Sequence, residues 1–272
     1  MLDSWLQDVR YAVRLLRRNP VFAATAALSL AIGIGANTTI FTIANALLFK
    51  PPAGVTEPNR LVDVGRSQNG QGFDNSSYPN YLDIQVRNTV FEGIYAYRAE
   101  PEPMSLGGRD GAERIYGSLV TKNYFSVLGT RPLAGRFFAA DDSDQPGGAP
   151  LVVVSHHFWM RRFNGDPSLV GRTVDLNGRA FTVIGVAPEG FHGTSPLTAD
   201  VWLPVTMVAD ASPRRAGSLL TSRPAVWLLM GARLKPGVSA RQAQAELETI
   251  GRALEREFPD ANRGKGLRVV DM

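Results

Sequence analysis

The chain has 272 residues and a net charge of +4, from 29 Lys and Arg against 25 Asp and Glu. This length allows one large domain or two small ones. The charge is too small and too dispersed to indicate a nucleic-acid-binding protein. The absence of cysteine excludes disulfides, thiolate metal sites and cysteine nucleophiles. A mean hydropathy of −0.08 is typical of a soluble protein, but this average hides one strongly apolar segment.

The first 19 residues carry a helical pattern of apolar residues at spacings of three and four. The apolar positions are Leu2, Trp5, Leu6, Val9, Ala12, Val13 and Leu16. The opposite face carries charged and polar residues, among them Arg10, Arg14 and Arg17. This pattern predicts an amphipathic helix over 1–19 that lies at the cytoplasmic surface of a membrane. Packing on another cytoplasmic part of the protein or on a partner is the alternative.

A long uncharged segment follows, between Arg18 and Lys50. It predicts a transmembrane helix over 20–49, which would measure about 43 Å and exceed a hydrocarbon core of about 30 Å. A buried helix of a soluble protein and a signal peptide cleaved after Ala44-Asn45-Ala46 are the alternatives, and the length of the segment argues against both. The excess of arginine before the span predicts a cytoplasmic N-terminus. Residues after about 50 would then lie in the periplasm of a bacterial cell.

Small and polar residues recur along this predicted span. They are Ala27, Ala31 and Gly35 at four-residue spacing, Ser29, Gly33 and Asn37 at the same spacing, and Thr38, Thr42 and Asn45. Small residues let transmembrane helices approach closely, and hydroxyl and amide groups hydrogen-bond between helices. We therefore expect the span to pack against a helix of another copy or of sequence that is missing here. Chance spacing in an alanine-rich span is the alternative.

The remaining sequence, 50–272, predicts an α+β domain. Strands are predicted at 61–66, 92–97, 112–120, 151–154, 200–205, 225–234 and 267–270, with a hairpin around Asn177-Gly178 within 173–186. Helices are predicted at 81–86, at 123–128 after a Thr121 cap, from a Ser155 cap to 163, and from Ser239 to Pro259. The segment 141–150 predicts a loop. Strand, helix and strand over 225–270 predict a βαβ unit.

The sequence offers little chemistry. Asp141, Asp142 and Asp144 lack the spacing of a calcium loop and indicate a solvated acidic loop. His156 and His157 are adjacent, so they cannot form a metal pair on one helical turn, and His192 has no partner in the sequence. The pair Gly264-Lys265 lacks the other residues of a phosphate-binding loop. These observations predict a protein that is not an enzyme and has no metal or cofactor site.

Short motifs spread over most of the chain nevertheless carry a resemblance. They stand at 33–38 (GIGANT), 47–51, 57–62, 77–83, 90–93, 124–129, 135–138, 158–159, 165–167, 171–172, 177–178, 183–188 and 201–204. No single motif is decisive, but their order and spacing resemble those of the MacB-like ABC transporter permeases, specifically the duplicated orphan permease branch. The resemblance covers roughly residues 5–260.

The resemblance implies a cytoplasmic N-terminal helix, a long first span, and a periplasmic core domain with βαβ-like and β-rich subdomains. Three further spans would complete such a permease, so the chain, which stops at Met272, is expected to be an N-terminal fragment or the product of a split or truncated gene. A separate cytoplasmic ABC ATPase would bind the ATP, and the chain would transmit its motion to the periplasm for export or efflux. A stand-alone membrane-anchored module that binds a ligand or a protein is the alternative.

Overall fold

The uncharged segment forms one continuous helix, α1 (Pro20–Leu48), whose only proline is its first residue. Its stretch Pro20–Thr42 is long and apolar enough to cross a bilayer, and the large apolar side chains along it are exposed, among them Phe22, Ile34 and Phe41. Water disfavours such a surface, whereas lipid favours it. Contacts divide the chain into two compact units, residues 1–50 and residues 51–272.

The computed structural model describes residues 11, 14, 17–48, 53–108, 111–195, 197–213 and 217–271. The predicted amphipathic helix over 1–19 therefore lies almost entirely outside the described residues. The second unit contains α2 (Tyr78–Arg87), α3 (Tyr124–Leu128), α4 (His156–Phe163), α5 (Val208–Ala211), α6 (Ala240–Glu257) and α7 (Pro259–Asn262). Its strands are β1 (Leu61–Gln68), β2 (Gln71–Asp74), β3 (Phe91–Tyr97), β4 (Glu102–Leu106), β5 (Glu113–Val120), β6 (Ala134–Gly135), β7 (Leu151–Val154), β8 (Thr173–Leu176), β9 (Arg179–Val186), β10 (Val201–Pro204), β11 (Leu229–Leu234) and β12 (Lys265–Asp271).

One half of this unit is an open sheet with the strand order β3-β11-β1-β12. The predicted βαβ unit is present as β11, α6 and β12, but β1 lies between the two strands and is antiparallel to both. Helix α6 begins at Ser239, as predicted, and Ser239 and Gln242 form a capping box there. It buries Ala243, Leu247, Ile250 and Leu254 against the sheet.

Strand β12 is the last strand of this sheet, and helix α6 protects its outer side. The Gln244 side-chain amide donates to Leu267 O at 3.1 Å and accepts from Val269 N at 2.8 Å. The amide of this one side chain thereby bonds a backbone acceptor and a backbone donor of β12 with which a neighbouring strand could otherwise pair. The backbone groups of β12 at this point are satisfied within the chain.

The other half is a closed ring of six strands, β10-β7-β9-β8-β4-β5, in which β5 returns to β10 in parallel. Its interior is apolar, with Ile115, Leu176 and Phe181 fully buried. The predicted hairpin joins β8 and β9, with Asn177 at φ 55° and Gly178 at φ 82°, the left-handed pair that this tight turn requires. The α+β class, the apolar helix and the two kinds of subdomain are therefore confirmed.

Several predicted elements were wrong in detail. Strands β2, β4 and β6 were not predicted, and β4 contains Pro103, a residue that is unfavourable inside most strands. The strand predicted over 225–234 begins only at Leu229. Thr121 does not cap α3, because its hydroxyl accepts from Ala96 N at 3.0 Å and donates to Asn123 at 2.8 Å. Helix α2 starts at Tyr78, three residues before its predicted start, because Ser77 caps it.

Candidate functional site

Six of the predicted helix-packing residues share one face of α1. Because α1 is unbroken and turns by 100° per residue, Ala27, Ala31, Gly35, Thr38, Thr42 and Asn45 fall within an arc of about 80°. The two sequence patterns, small residues and polar residues, thus merge into a single stripe, which we call the small-residue stripe. Gly33 and Asn37 lie outside it, on another side of the helix.

The small-residue stripe is exposed in the structure. The side chains from Ala27 to Thr42 are exposed, and a Cβ added at Gly33 or at Gly35 would meet nothing within 4 Å. The side chain of Asn45 lies outside the described residues. The Thr39 hydroxyl is directed to its own helix and donates to Gly35 O at 2.8 Å. Packing of the stripe on another helix stays a prediction.

We expect Gly35→Leu to reduce association between copies of the chain at least tenfold, because the added side chain would hold a partner helix away from the stripe. Gly33→Leu is the matched control, since it adds the same apolar group on another side of the same helix. The chain has no cysteine, so Ala31→Cys gives a clean disulfide crosslinking readout in membranes. Equal effects of the two leucines would contradict an interface on the stripe.

A second candidate lies where the chain enters the domain, and we call it the joint: Thr56, Glu57, Arg60 and Arg233. The Arg233 side chain on β11 is only 4% exposed and reaches three backbone carbonyls. Nε donates to Val127 O at 2.7 Å, Nη1 to Glu57 O at 3.1 Å and Nη2 to Thr56 O at 2.6 Å. Burial disfavours the charged form of this guanidinium and lowers its pKa from the ordinary value. The three carbonyl acceptors offset the loss of hydration.

Further bonds hold the same segment. Thr56 N donates to Leu128 O at 3.1 Å, and its hydroxyl donates to Gly129 O at 2.8 Å. Arg60 Nε and Nη2 donate to Leu234 O at 3.0 and 2.7 Å, and Arg60 Nη1 pairs with Glu57 at 2.6 Å. Thr56, Glu57 and Arg60 are thus tied to α3 and to β11 together.

The helix at the joint rests on an aromatic cluster. Phe125 of α3 stacks on Phe137 with ring centroids 3.9 Å apart and meets Trp202 edge-on at 5.7 Å. Tyr124 Oη accepts from Thr194 N at 2.8 Å, and burial raises the pKa of this phenol. The acceptor carbonyls at the end of α3 therefore belong to a closely packed core.

Sequence reasoning missed the joint. Its acceptors are main-chain carbonyls, which leave no residue signature. The one available signal was Arg233 itself, a single charged residue between Leu228 and Leu234 in an otherwise apolar strand. A buried arginine in such a strand must find acceptors within the fold.

The three histidines come together, although their spacing gave no sign of it. His156, His157 and His192 line one cavity of about 620 Å³ with Met160 and Glu189. Among the described residues, no group of histidine and carboxylate side chains is arranged to hold a metal ion.

The acidic loop is not simply solvated. Asp142 accepts from Arg136 at 2.8 Å and from Ala139 N at 2.8 Å, and the arginine holds the pKa of that carboxyl below its usual range. Asp144 pairs with Lys122. Asp142 is thereby fixed on the domain, which corrects the prediction of a solvated loop at this residue, whereas Asp141 and Asp144 are exposed as predicted.

A comparison with protein families gives one match over most of the chain. The sequence profile of the MacB-like periplasmic core domain matches residues 23–250. A search of the curated proteins found no match.

Solved structures with the same fold come from several bacteria. A domain of a candidate permease from Porphyromonas gingivalis aligns with a TM-score of 0.58 at 18% identity, covering 80% of this chain and 93% of its own. The periplasmic region of MacB from Actinobacillus actinomycetemcomitans aligns with a TM-score of 0.55 at 16% identity, covering 83% and 94%. The extracellular domain of the noncanonic ABC-type transporter YknZ from Gram-positive bacteria gives 0.53 at 15% identity, covering 77% and 99%.

Proposed function

The chain belongs to the MacB-like periplasmic core domain family of ABC transporter permeases, and we propose that it transmits ATP-driven movement of its membrane helix to the domain that follows. In this proposal the N-terminus lies in the cytoplasm and the residues after about 50 lie in the periplasm. A separate cytoplasmic ABC ATPase supplies the energy, and a second copy or a paired permease half supplies the partner helix. The outcome is export or efflux of a substrate, with no chemistry performed by this chain.

The arginine excess before α1 supports this orientation. The small-residue stripe on α1 supports association with a second helix, because it offers a close-approach surface and polar groups on one side. The motifs of the phosphate-binding loop are missing from the sequence, in keeping with an ATPase on another chain.

The joint is the observation that carries the proposal. A helix that moves can displace a domain only if the connecting chain is fixed to that domain soon after it leaves the helix. Arg233 and Arg60 fix Thr56 and Glu57 to two different elements, α3 and β11. Hydrogen bonds from a charged group contribute about 1.5–3 kcal/mol each, so this connection resists a pull better than a flexible linker would.

The test is to lengthen the connection without touching the joint. Three glycines inserted after Lys50 in the complete permease, assembled with its ATPase in lipid nanodiscs, should leave ATP hydrolysis intact. Spin labels at Glu248→Cys on two copies should then show no ATP-dependent change in separation, whereas the unmodified linker should show one. Transport should fall with the loss of that change.

The same insert after Gly217, an exposed loop position, is the matched control and should preserve both readouts. Full ATP-dependent movement with the insert after Lys50 would overturn the proposal. A separation that never responds to ATP, even with the natural linker, would favour the alternative of a stand-alone anchored binding module.

A further inference from the structure

Three asparagines of the chain are followed directly by glycine: Asn69, Asn164 and Asn177. Such a pair carries its own chemistry, because the glycine nitrogen can attack the side-chain carbonyl carbon of the asparagine. Glycine permits this close approach because it has no Cβ. The attack needs a free side-chain amide and a free glycine nitrogen, so the fold decides which of the three pairs reacts.

Asn177 is held by its surroundings. Its side-chain nitrogen donates to two carbonyl oxygens of α5 at 2.9 and 3.2 Å, and its side-chain oxygen accepts from Ser105 N at 2.8 Å. The nitrogen of Gly178 donates to the Asp175 carboxylate at 2.9 Å. Both reacting groups of this pair are therefore engaged.

Asn164 is protected at one of its two reacting groups. It ends helix α4 in the left-handed conformation, with φ 50°. The following nitrogen, that of Gly165, donates to Trp159 O at 3.3 Å, as is usual at the end of a helix. The attacking nitrogen of this pair is therefore engaged, although the asparagine itself is exposed.

Asn69 has neither form of protection. It forms the turn between β1 and β2 together with Gly70, and both residues are exposed. Across the residues that the structure describes, no hydrogen bond engages the Asn69 side-chain amide or the Gly70 nitrogen. The Asn69 backbone nitrogen donates to Gly264 O at 2.7 Å, but neither reacting group takes part in that bond.

The turn at Asn69 also opens more easily than the hairpin at Asn177. Asn69 has φ 50°, and the attack requires it to leave this left-handed conformation. Strand β2 is exposed at every residue, and its pairing with β1 is irregular. The strands β8 and β9, in contrast, are flanked by β4 and β7 in the closed ring. Segments with few buried contacts and exposed hydrogen bonds open at a low free-energy cost.

We propose that Asn69 is a site of spontaneous deamidation, with water as the co-reactant. The Gly70 nitrogen loses its proton and forms a bond to Asn69 Cγ. The bond from Cγ to the side-chain nitrogen breaks, so ammonia leaves and a cyclic imide remains. Water then opens the ring at either carbonyl carbon. One opening yields aspartate, and the other yields isoaspartate, in which the main chain runs through the side-chain carbon.

Either product changes the edge of the open sheet. Asn69 lines a cavity of about 640 Å³ with Lys265, whose ammonium group donates to the Gln68 side chain. A carboxylate at position 69 adds a negative charge beside this cation. Isoaspartate also lengthens the main chain by one carbon, which disturbs the pairing of Gln68 with Gln71 across the turn. The reaction does not depend on how the membrane helix moves.

The test incubates the full chain in lipid nanodiscs at mildly alkaline pH, where the glycine nitrogen loses its proton more readily. Samples are digested with pepsin at acidic pH, and the loss of each asparagine is followed by peptide mass spectrometry. Asn69 should react at least about tenfold faster than Asn177, because several hydrogen bonds must break before Asn177 can react. Asn164 should also react more slowly than Asn69.

Two controls separate the effect of the fold from that of the sequence. In guanidinium chloride the three pairs should react at similar rates. Gly70→Asn places a Cβ at the attacking residue but tolerates the left-handed turn, so it should slow the loss of Asn69 severalfold. Equal rates at Asn69 and Asn177 in the folded chain would overturn the proposal. An Asn69 that survives in the folded chain while all three pairs react in denaturant would overturn it too.

Discussion

Replacing Arg233 by methionine should lower the free energy of unfolding of the domain by about 3–5 kcal/mol. The change removes three hydrogen bonds and leaves the carbonyls of Val127, Glu57 and Thr56 without their donors in a buried place. Breaking a buried charged network by removing one partner costs this much because the remaining polar groups stay desolvated. Denaturant unfolding followed by tryptophan fluorescence, to which Trp202 of the adjoining aromatic cluster contributes, measures the loss.

Arg161→Met is the matched control. Arg161 is 47% exposed on its side chain and pairs with Asp200 and Glu113 at the surface, where such pairs contribute at most about 1 kcal/mol. Arg233→Lys should recover only part of the loss, because a single ammonium group does not reproduce the planar fork that reaches three acceptors. Similar losses in Arg233→Met and Arg161→Met would show that the joint is not the strong connection described here.

Asp63→Asn should raise the free energy of unfolding, and only near neutral pH. Burial raises the pKa of Asp63 from 3.8 to about 6 in the folded protein, so the folded state binds a proton more tightly than the unfolded state. The contribution of Asp63 to the free energy of unfolding is fully present below about pH 4 and is lost as pH rises through about 6. At pH 7.5 the variant should therefore be more stable by about 2–3 kcal/mol, and below pH 4 the two proteins should match.

Asp142→Asn is a control whose effect on the free energy of unfolding should depend on pH in the opposite sense. The Arg136 hydrogen bond holds the pKa of Asp142 below its usual range, so this carboxylate stabilises the fold above about pH 4 and loses that effect as pH falls further. Unfolding curves of both variants between pH 3.5 and 8 provide the comparison. A stability gap for Asp63→Asn that does not open between pH 4 and 6 would mean that its carboxyl is neutralised by a partner.

Local signals in the sequence predicted much of the fold. Asn177-Gly178 determines a tight turn by its backbone preferences alone, and the Ser239 capping box determines where α6 begins. The pairings between distant strands could not be read in this way. The insertion of β1 between β11 and β12, and the return of β5 to β10, depend on which apolar faces meet after the chain collapses.

The candidate sites also differ in whether local sequence spacing could predict them. The small-residue stripe was predictable, because the spacing of residues along one helix fixes which of them share a face. The joint was not, because it is assembled from distant segments. Arg233 reaches carbonyl groups that every residue possesses, and only the pairing of strands brings it to them.

The Gln244 amide on the edge of β12 limits how two copies of this domain can meet. An uncovered edge strand is a template on which an identical chain can add its own edge, and repeated addition yields fibrils. Here the carbonyl of Leu267 and the amide of Val269 are already engaged by a side chain of the same molecule. If α1 pairs as proposed, two such domains would reach high local concentration, and this one glutamine would keep the edges of their β12 strands from joining.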